Sequence, residues 1–476
     1  MIATTNIEAS PRLDAIVLAA GLGMRMRSQQ IKVLHRLGGR PMVEHTLRLL
    51  LPLGVRRTIL VLGHQADHVA ETLRARRIPI PDLQIALQRE PRGTADAVRS
   101  ALPQLPEDSS QVVILYGDTP LLTMDSLQRL RAAAQGQAVA MLVMRLAEPR
   151  GYGRLVRGAD GRPLRIVEDR DCTDAERTIT EVNAGMYVVQ SDFLRRALAR
   201  VQADNAAREL YLTDLVALAV AEGQGVTTVE APSDEVMGVN DRVDLAQAER
   251  LLRRRVNQDV MRRGVTMRDP ETTHIDLDVE IGSDTELGPG VILRGRCRIG
   301  GGCHIDAGCV LTDVTVADGV HIKPYTVAVD SQIGAKSQVG PFSHLRPGSH
   351  LADGVHIGYF VELKNTRVGS GSKANHLAYL GDAEIGAAVN VGCGTITCNY
   401  DGVAKHRTVV EDGVFIGSDS QLVAPVRVGQ GAMIAAGTTV TRDVPAGALT
   451  LSRVPQIDKP EYAESLRTRL RQRKGS

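Results

Sequence analysis

Between Thr266 and Val440 an aliphatic side chain keeps returning every six residues. Ile275, Ile281, Leu287, Leu293, Ile299, Ile305 and Leu311 form one series. After a change of phase the series resumes through Ile333, Val339, Leu345, Leu351, Ile357 and Leu363. Ile385 and Val391 stand in a third phase, and Val410, Ile416, Leu422, Val428, Ile434 and Val440 in a fourth. An α-helix repeats about every 3.6 residues and a strand every second one, so neither accounts for this period. A triangular parallel β-helix does: each hexapeptide is one short flat face, and its aliphatic residue fills the interior.

The position two before each aliphatic supports this reading. It holds Val279, Thr285, Val291, Cys297, Cys303, Cys309, Ser331, Ser337, Ser343, Ser349, Val355 and Val361, and later Val414, Ser420, Val426, Ala432 and Thr438. All are small or β-branched, as a tight inner corner requires. Cys297, Cys303 and Cys309 could be read as a metal or redox trio. As interior residues they need no further explanation, and consecutive hexapeptides on different faces would hold the sulfurs apart. With no Trp and 46 Gly, the chain must in any case build a core from small side chains. The phase changes are read as insertions. The largest is CNYDGVAKHRT, Cys398–Thr408, a polar loop in a regular coil and so a functional candidate.

The first 240 or so residues alternate strand-like and helix-like segments. Leu13–Ala20 is an apolar run ending in glycines, and Pro41–Leu53 reads as a helix stopped by Gly54. Strand Thr58–Gly63, helix Ala66–Arg76, strand Leu83–Gln88, helix Thr94–Leu102 and strand Val112–Tyr116 follow. This alternation predicts a parallel, doubly wound sheet. Such sheets bind ligands beyond the carboxyl ends of their strands, which points to the loops after Ala20 and Tyr116. Asp241–Arg263 reads as one helix, with Leu245, Ala248, Leu252, Val256 and Val260 at helical spacing and Gly264 as its stop. It is expected to be a rigid connector. The expected organisation is 1–240, a linker helix 241–264, a coil 265–452 and a tail 453–476.

Lys and Arg number 57 against 55 Asp and Glu, which gives no reason to expect nucleic acid or a membrane as partner. No apolar run approaches the roughly 20 residues that span a bilayer. MIATTNIEASPRLD lacks the pattern of a secretion signal. A cytoplasmic protein with reduced thiols is expected. The basic tail, Arg467 to Lys474, reads as a frayed surface helix or a disordered segment.

Leu18-Ala19-Ala20-Gly21-Leu22-Gly23-Met24-Arg25, with Lys32 beyond, is a glycine-rich turn after a strand carrying two cations. Such a turn can approach and neutralise phosphate; an ordinary strand–helix turn is the alternative. Asp118, at the end of the strand Val112–Tyr116, suits a Mg2+ that meets substrate phosphates, or is simply a turn aspartate.

In order, LAAGxGxRM, KVLH, LQ…GTADA, YGD, GYGR, IVED, EVNAG and GVN resemble the sugar-phosphate nucleotidyltransferases. With the coil, Leu13 to Gln456 resembles the family of bifunctional N-acetylglucosamine-1-phosphate uridyltransferases/glucosamine-1-phosphate N-acetyltransferases. The fold this implies is an α/β Rossmann-like nucleotidyltransferase domain followed by a left-handed parallel β-helix. The implied substrates are glucosamine-1-phosphate, N-acetylglucosamine-1-phosphate, UTP and acetyl-CoA, with Mg2+ as cofactor and a homotrimer as the assembly. By the resemblance Leu18, Ala19, Ala20, Gly21 and Lys32 line the nucleotide site, and Arg25 faces the triphosphate as a catalytic group. Gln88, Gly93 and Thr94 recognise uracil, and Tyr116 and Gly117 border the nucleotide sugar. Asp118 and Asn240 hold Mg2+, while Gly153, Glu168 and Asn183 hold the sugar and its acetamido group. Two positions depart from the family pattern. Met24 replaces a small hydroxyl residue, which could remove a hydrogen bond near the phosphates, and Ile31 replaces a proline, which could loosen the loop carrying Lys32. Uridyl transfer is nonetheless expected to survive, because Arg25, Lys32, Asp118 and Asn240 all remain.

In the coil the resemblance makes His376 the base for acetyl transfer. Arg346, Lys364, Tyr379 and Asn390 match the sugar-phosphate binders. Cys393, Asn399, Tyr400, Ser418, Ala436 and Arg453 match the acetyl-CoA contacts, with Cys393 where the family often has Ala. Lys405 either approaches the CoA phosphates or is a solvated loop lysine. An alternative keeps one activity, a sugar-1-phosphate nucleotidyltransferase whose coil only trimerises. A second alternative is a trimeric regulatory scaffold with an inactive nucleotide fold.

Overall fold

The structure, a computed structural model, describes residues 12–63 and 65–474. The segment read for a secretion signal falls mostly in residues 1–11 and lies outside the described residues. The chain divides into two compact units, one ending at Val256 and the other beginning at Asn257.

In the first unit nine strands form one sheet: β1 (Leu13–Leu18), β2 (Thr58–Leu62), β3 (Leu83–Leu87), β4 (Gln111–Tyr116), β5 (Val139–Arg145), β6 (Arg154–Arg157), β7 (Pro163–Val167), β8 (Glu181–Gln190) and β9 (Val226–Glu230). The main path runs β9-β5-β8-β4-β1-β2-β3, with the β6–β7 hairpin attached to β8. Strands β1 and β2 are buried at every residue, as continuous apolar runs covered on both faces should be. Leu13, Ala15 and Val17 face one core, shared with Val43, Leu47 and Leu50 of the helix Met42–Leu50. Ile16 and Leu18 face the other, with Ala95, Val98 and Ala101 of the helix Thr94–Ala101.

Two expectations need correction. The helix read to Leu53 ends at Leu50, because Pro52 cannot continue it. The sheet is not wholly parallel: β8 runs antiparallel to β4 and β5. Arg145, the last residue of β5, pairs with Glu181, the first of β8. After β5 the chain makes the β6–β7 hairpin and re-enters the sheet from the end where β5 left, which fixes the direction of β8.

Glu44 tests how this unit tolerates buried charge. Its side chain is fully buried. It accepts from Arg48 at 2.7 Å, lies 3.9 Å from Arg40 and is bound by Arg76. Glu44→Ala would leave three partly buried guanidinium groups facing one another. We expect a loss of about 3–5 kcal/mol, read as an earlier urea transition by circular dichroism. Glu90→Ala, which removes the exposed Glu90–Arg92 pair, should shift that transition by less than about 0.5 kcal/mol.

The helix Arg242–Arg262 spans the boundary between the units. Before it, Gly38 N–H donates to Glu249 at 3.0 Å; beyond the boundary, Asn257 donates to the carbonyls of Pro270 and Thr273. The second unit is a left-handed parallel β-helix. Its three faces are parallel sheets of eleven, ten and nine strands. They begin with Thr266–Met267, His274–Ile275 and Glu280–Ile281 respectively. Every aliphatic position in the repeat from Leu287 onward is buried, and so is every small residue two positions before one.

Cys297, Cys303 and Cys309 are fully buried and precede strands of the third, first and second faces. Their thiols donate to the carbonyls of Arg294, Ala317 and Lys323. Burial raises all three thiols, Cys309 to about 12. They are core residues on separate faces, not a metal trio.

The phase changes are mostly not insertions. Leu293 pairs with Leu311, but Leu311 pairs with Ala328, one residue short of the same interval. The lost residue lies at the corner between the second and third faces. There Asp313, Asp330, Asn365 and Asp382 adopt positive φ. Asp and Asn tolerate the left-handed region better than other side chains, so the chain turns in one residue fewer. The one large insertion, residues 399–407, leaves the coil at this same corner, between Ile396–Cys398 and Thr408–Val410. Past the coil, residues 451–474 are exposed and include the helix Tyr462–Lys474.

Two candidate active sites

The first site forms where β1 and β4 end. Leu18 and Tyr116 are register partners, and Gly117 N–H donates to Leu18 O at 2.9 Å. A Cβ on Gly117 would lie 3.2 Å from Ala19 Cβ, and one on Gly63 would lie 2.7 Å from Ala20 O. Bare backbone is what lets these loops lie together. Gly21 has open space around it, and Arg25 and Met24 are exposed on the turn Met24–Met26. Ile31 has φ −58°, the angle a proline would impose, and its side chain packs against the core instead.

Lys32 is where the sequence positions converge. Its ammonium lies 2.5 Å from Asp118 Oδ2 and 3.0 Å from Asn240 Oδ1. Val239 N–H donates to Asp118 O, and Asn240 N–H to Asp244, so the Gly238–Asn240 segment is tied to the end of β4. Gly23, outside the residues carried by the resemblance, holds the lysine in place. Its φ is +61°, and a Cβ there would fall 2.6 Å from Lys32 Cβ. The two oxygens the resemblance assigns to Mg2+ thus already meet at a point that accommodates a cation. One carboxylate and one amide oxygen, with water and phosphate completing the shell, is a donor set that fits Mg2+.

Gln88, Gly93 and Thr94 form a second patch of this site. Gln88 Nε2 donates to Gly93 O at 3.1 Å and to Asp96 at 2.9 Å. Gly93 has φ +116°, and a Cβ there would meet Leu210 O at 2.5 Å. Thr94 Oγ1 accepts from Leu212 N–H. Burial, then the charges of Asp118 and Glu168, raise the Tyr116 phenol. Gly185 lies against the Tyr116 ring, where a Cβ would stand 2.9 Å from Cε2.

The register brings the three sugar candidates into one row. Arg154 pairs with Val182 on one side and Val167 on the other, all antiparallel. One step along, Gly153 lies between Asn183 and Glu168. Asn183 N–H donates to Gly153 O at 2.9 Å, and a Cβ on Gly153 would lie 3.3 Å from Glu168 Oε1. Burial raises the Glu168 carboxyl, which accepts from Thr213 Oγ1 at 3.0 Å.

The second site lies on the coil. At the corner between the first and second faces each turn ends in a left-handed residue: Phe360, Leu377, Gly394, Asp419 and Gly437. The residues just before them are Tyr359, His376, Cys393, Ser418 and Ala436. Leu377 N–H donates to Tyr359 O, Asp419 N–H to Cys393 O and Gly437 N–H to Ser418 O. His376 and three of the acetyl-CoA candidates are therefore one column on successive turns. The His376 imidazole is exposed and stacks parallel to the Tyr359 ring, centroids 6.0 Å apart.

Arg346, Lys364 and Tyr379 belong to the second face. Arg346 donates to Glu362 at 2.8 Å, and Lys364 lies 3.7 Å from Asp382. Asn399, from the inserted loop, donates to Asp382 at 2.6 Å and lies 3.5 Å from the Tyr379 hydroxyl. It joins this group rather than the His376 column. Lys405, exposed on the inserted loop, comes here too, its ammonium pKa lowered by Lys364 beside it. Asn390 stands on the first face as register partner of Lys373 and Phe415. Tyr400 is exposed with its hydroxyl donating to Gly402 O, and Arg453 is exposed beyond the coil. Among the described residues neither makes a hydrogen bond or ion pair with the His376 column.

Comparison with known proteins matches the MobA-like NTP transferase domain over residues 15–217. The GMPPB C-terminal domain matches residues 270–368, and the bacterial transferase hexapeptide, six repeats, matches residues 407–442. The chain is 52% identical over 448 residues to the bifunctional protein GlmU of Trichlorobacter lovleyi, covering 94% of this chain and 96% of that one. It is 52% identical over 447 residues to the bifunctional protein GlmU of Anaeromyxobacter sp. Fw109-5, covering 94% and 91%. The bifunctional protein GlmU of Sorangium cellulosum is 50% identical over 463 residues, covering 96% and 98%.

Proposed function

The chain belongs to the bifunctional GlmU family, and from that premise we propose how its two sites divide the work. The enzyme acetylates glucosamine-1-phosphate from acetyl-CoA, then transfers uridylyl from UTP to N-acetylglucosamine-1-phosphate, giving UDP-N-acetylglucosamine and pyrophosphate. The alternatives of a purely structural coil and of an inactive scaffold are set aside, because relatives named as bifunctional match across both units.

The observation that carries the division is the presence of two separate residue sets. One is Lys32 with Asp118 and Asn240; the other is the His376 column. At the first, a sugar-phosphate oxygen attacks the α-phosphorus of UTP and pyrophosphate leaves. That step needs positioning and charge neutralisation more than a protein base. Asp118 and Asn240 would hold Mg2+, which supplies charge neutralisation at the phosphates. Lys32 and Arg25 bind the triphosphate, Gln88, Gly93 and Thr94 the base, and the Asn183–Gly153–Glu168 row the acetamido sugar. At the second site the amine of the sugar adds to the thioester carbonyl. His376 takes the proton that the nitrogen sheds, and the CoA thiolate leaves. Arg346 and Lys364 bind the sugar phosphate.

We assign the assembly as a homotrimer. Tyr325, Phe342 and Phe360 stack along the His376 corner, with centroids 5.3 and 5.4 Å apart and about half of each side chain exposed. Their φ values of 58°, 54° and 53° cost about 1–2 kcal/mol per residue, and the stack is left open to a second copy of the chain. The cytoplasm is the proposed compartment. Six free cysteines fit a reducing one, and no described helix is long and apolar enough to cross a membrane.

Supplying all four substrates with Mg2+ should release thiol and pyrophosphate together, and the protein should sediment at three times its chain mass. Absence of Mg2+-dependent pyrophosphate release from UTP and N-acetylglucosamine-1-phosphate would overturn the uridylyl-transfer reading of the first site.

A further inference from the structure

Behind the row Asn183–Gly153–Glu168 stands a second, Val182–Arg154–Val167. Successive side chains on a strand point to opposite faces, so Arg154 projects away from the face that Gly153 presents. Its side chain is 3% exposed and lies 2.9 Å from Asp169 Oδ1. It also donates to the carbonyl of Tyr152, and Asp169 accepts from Gly151 N–H. Arg154 directly follows Gly153, and Asp169 directly follows Glu168. The ion pair therefore fastens the turn carrying Gly153 to the turn carrying Glu168. The Cys172 thiol closes the latter, donating to Glu168 O at 3.4 Å.

Stability alone is a poor reason for such a pair. Asp169 is 25% exposed beside the buried arginine. Pairing a buried charge is often no better than apolar residues of the same volume, and Arg154 Nε is buried with no partner among the described residues. What the pair does supply is a fixed geometry between two neighbouring backbone segments. We infer that Arg154 and Asp169 are positioning residues, whose ion pair sets the spacing of Gly153 and Glu168 and so the affinity of the first site for the acetamido sugar phosphate. This rests on reading Gly153, Glu168 and Asn183 as the sugar subsite.

The test measures KM for N-acetylglucosamine-1-phosphate and for UTP separately, with acetyl transfer as a control for the rest of the chain. The variants are Arg154→Met, Asp169→Asn and their double, with Asn183→Ala as a probe of the subsite itself. A small misplacement of binding groups is felt strongly. Each single variant should raise the sugar-phosphate KM about tenfold or more, with the UTP KM within about twofold and acetyl transfer unchanged. If the two act only through each other, the double should be no worse than the worse single. An unchanged sugar-phosphate KM in Arg154→Met and Asp169→Asn, beside a raised one in Asn183→Ala, overturns the positioning role. Equal rises in both KM values also overturn it, as general damage to the unit. An unchanged KM in Asn183→Ala overturns the subsite reading on which the inference depends. Should Arg154→Met fail to fold, Asp169→Asn alone carries the comparison.

Discussion

His376→Ala is expected to cut acetyl transfer by about 10²–10⁴-fold, the usual loss when a general base is removed, while leaving uridylyl transfer within about twofold. The amine of the sugar sets the need for a base. Protonated, it cannot attack; on adding to the thioester it must lose a proton, and imidazole exchanges protons near neutral pH. His376 is exposed, held flat against Tyr359, and in line with Cys393, Ser418 and Ala436 on the following turns. An acetyl-CoA lying along that corner would present its thioester at the end of the column, where the imidazole stands. His376 packs no core, so truncating it should leave the fold unchanged. Thiol release with glucosamine-1-phosphate and acetyl-CoA reads the first activity, and pyrophosphate release the second. Retention of acetyl transfer within about threefold, or parallel loss of both activities, would remove His376 from this role.

Much of this was legible in the sequence, and the gaps have physical causes. The coil announces itself through its aliphatic period, but only while each turn keeps the same length. Where a corner is one residue shorter, large interior residues such as Val316, Ile322, Val368 and Leu380 fall out of the six-residue count. The small interior residues Ala328, Ala374 and Thr397 give no aliphatic mark of their own. The direction of β8 was hidden because a strand's own pattern does not tell which end the chain enters. Lys32, Asp118 and Asn240 each stood in a recognisable motif, yet nothing local says that residues so far apart share one point. The His376 column was hidden for a related reason. Cys393 follows His376 by one short turn, but the inserted loop lengthens the next interval, so no constant period links the four. Gly23, Arg154 and Asp169 act on their neighbours rather than on a ligand. Only contact distances expose such roles.

Asp118→Asn should produce the mirror image of the His376 variant. It preserves shape and removes one negative charge at the point where Lys32 and Asn240 converge. Lys32 then loses its ionic partner, and the donor set for Mg2+ loses its carboxylate. Groups that neutralise charge at the reacting centre are commonly worth about 10²–10³ in rate, so uridylyl transfer should fall by that order while acetyl transfer stays intact. Mn2+ binding, followed by water-proton relaxation, should weaken as well, which separates loss of the cation from general damage. The two variants together make a stronger test than either alone. If the sites work independently and N-acetylglucosamine-1-phosphate passes between them through solution, mixing His376→Ala with Asp118→Asn restores conversion of glucosamine-1-phosphate to UDP-N-acetylglucosamine. Each variant supplies the step the other lacks. A mixture that stays blocked, with each single activity intact in its own assay, would mean that the intermediate does not travel freely. In that case the two units would have to be treated as one coupled catalyst rather than two enzymes on a single chain.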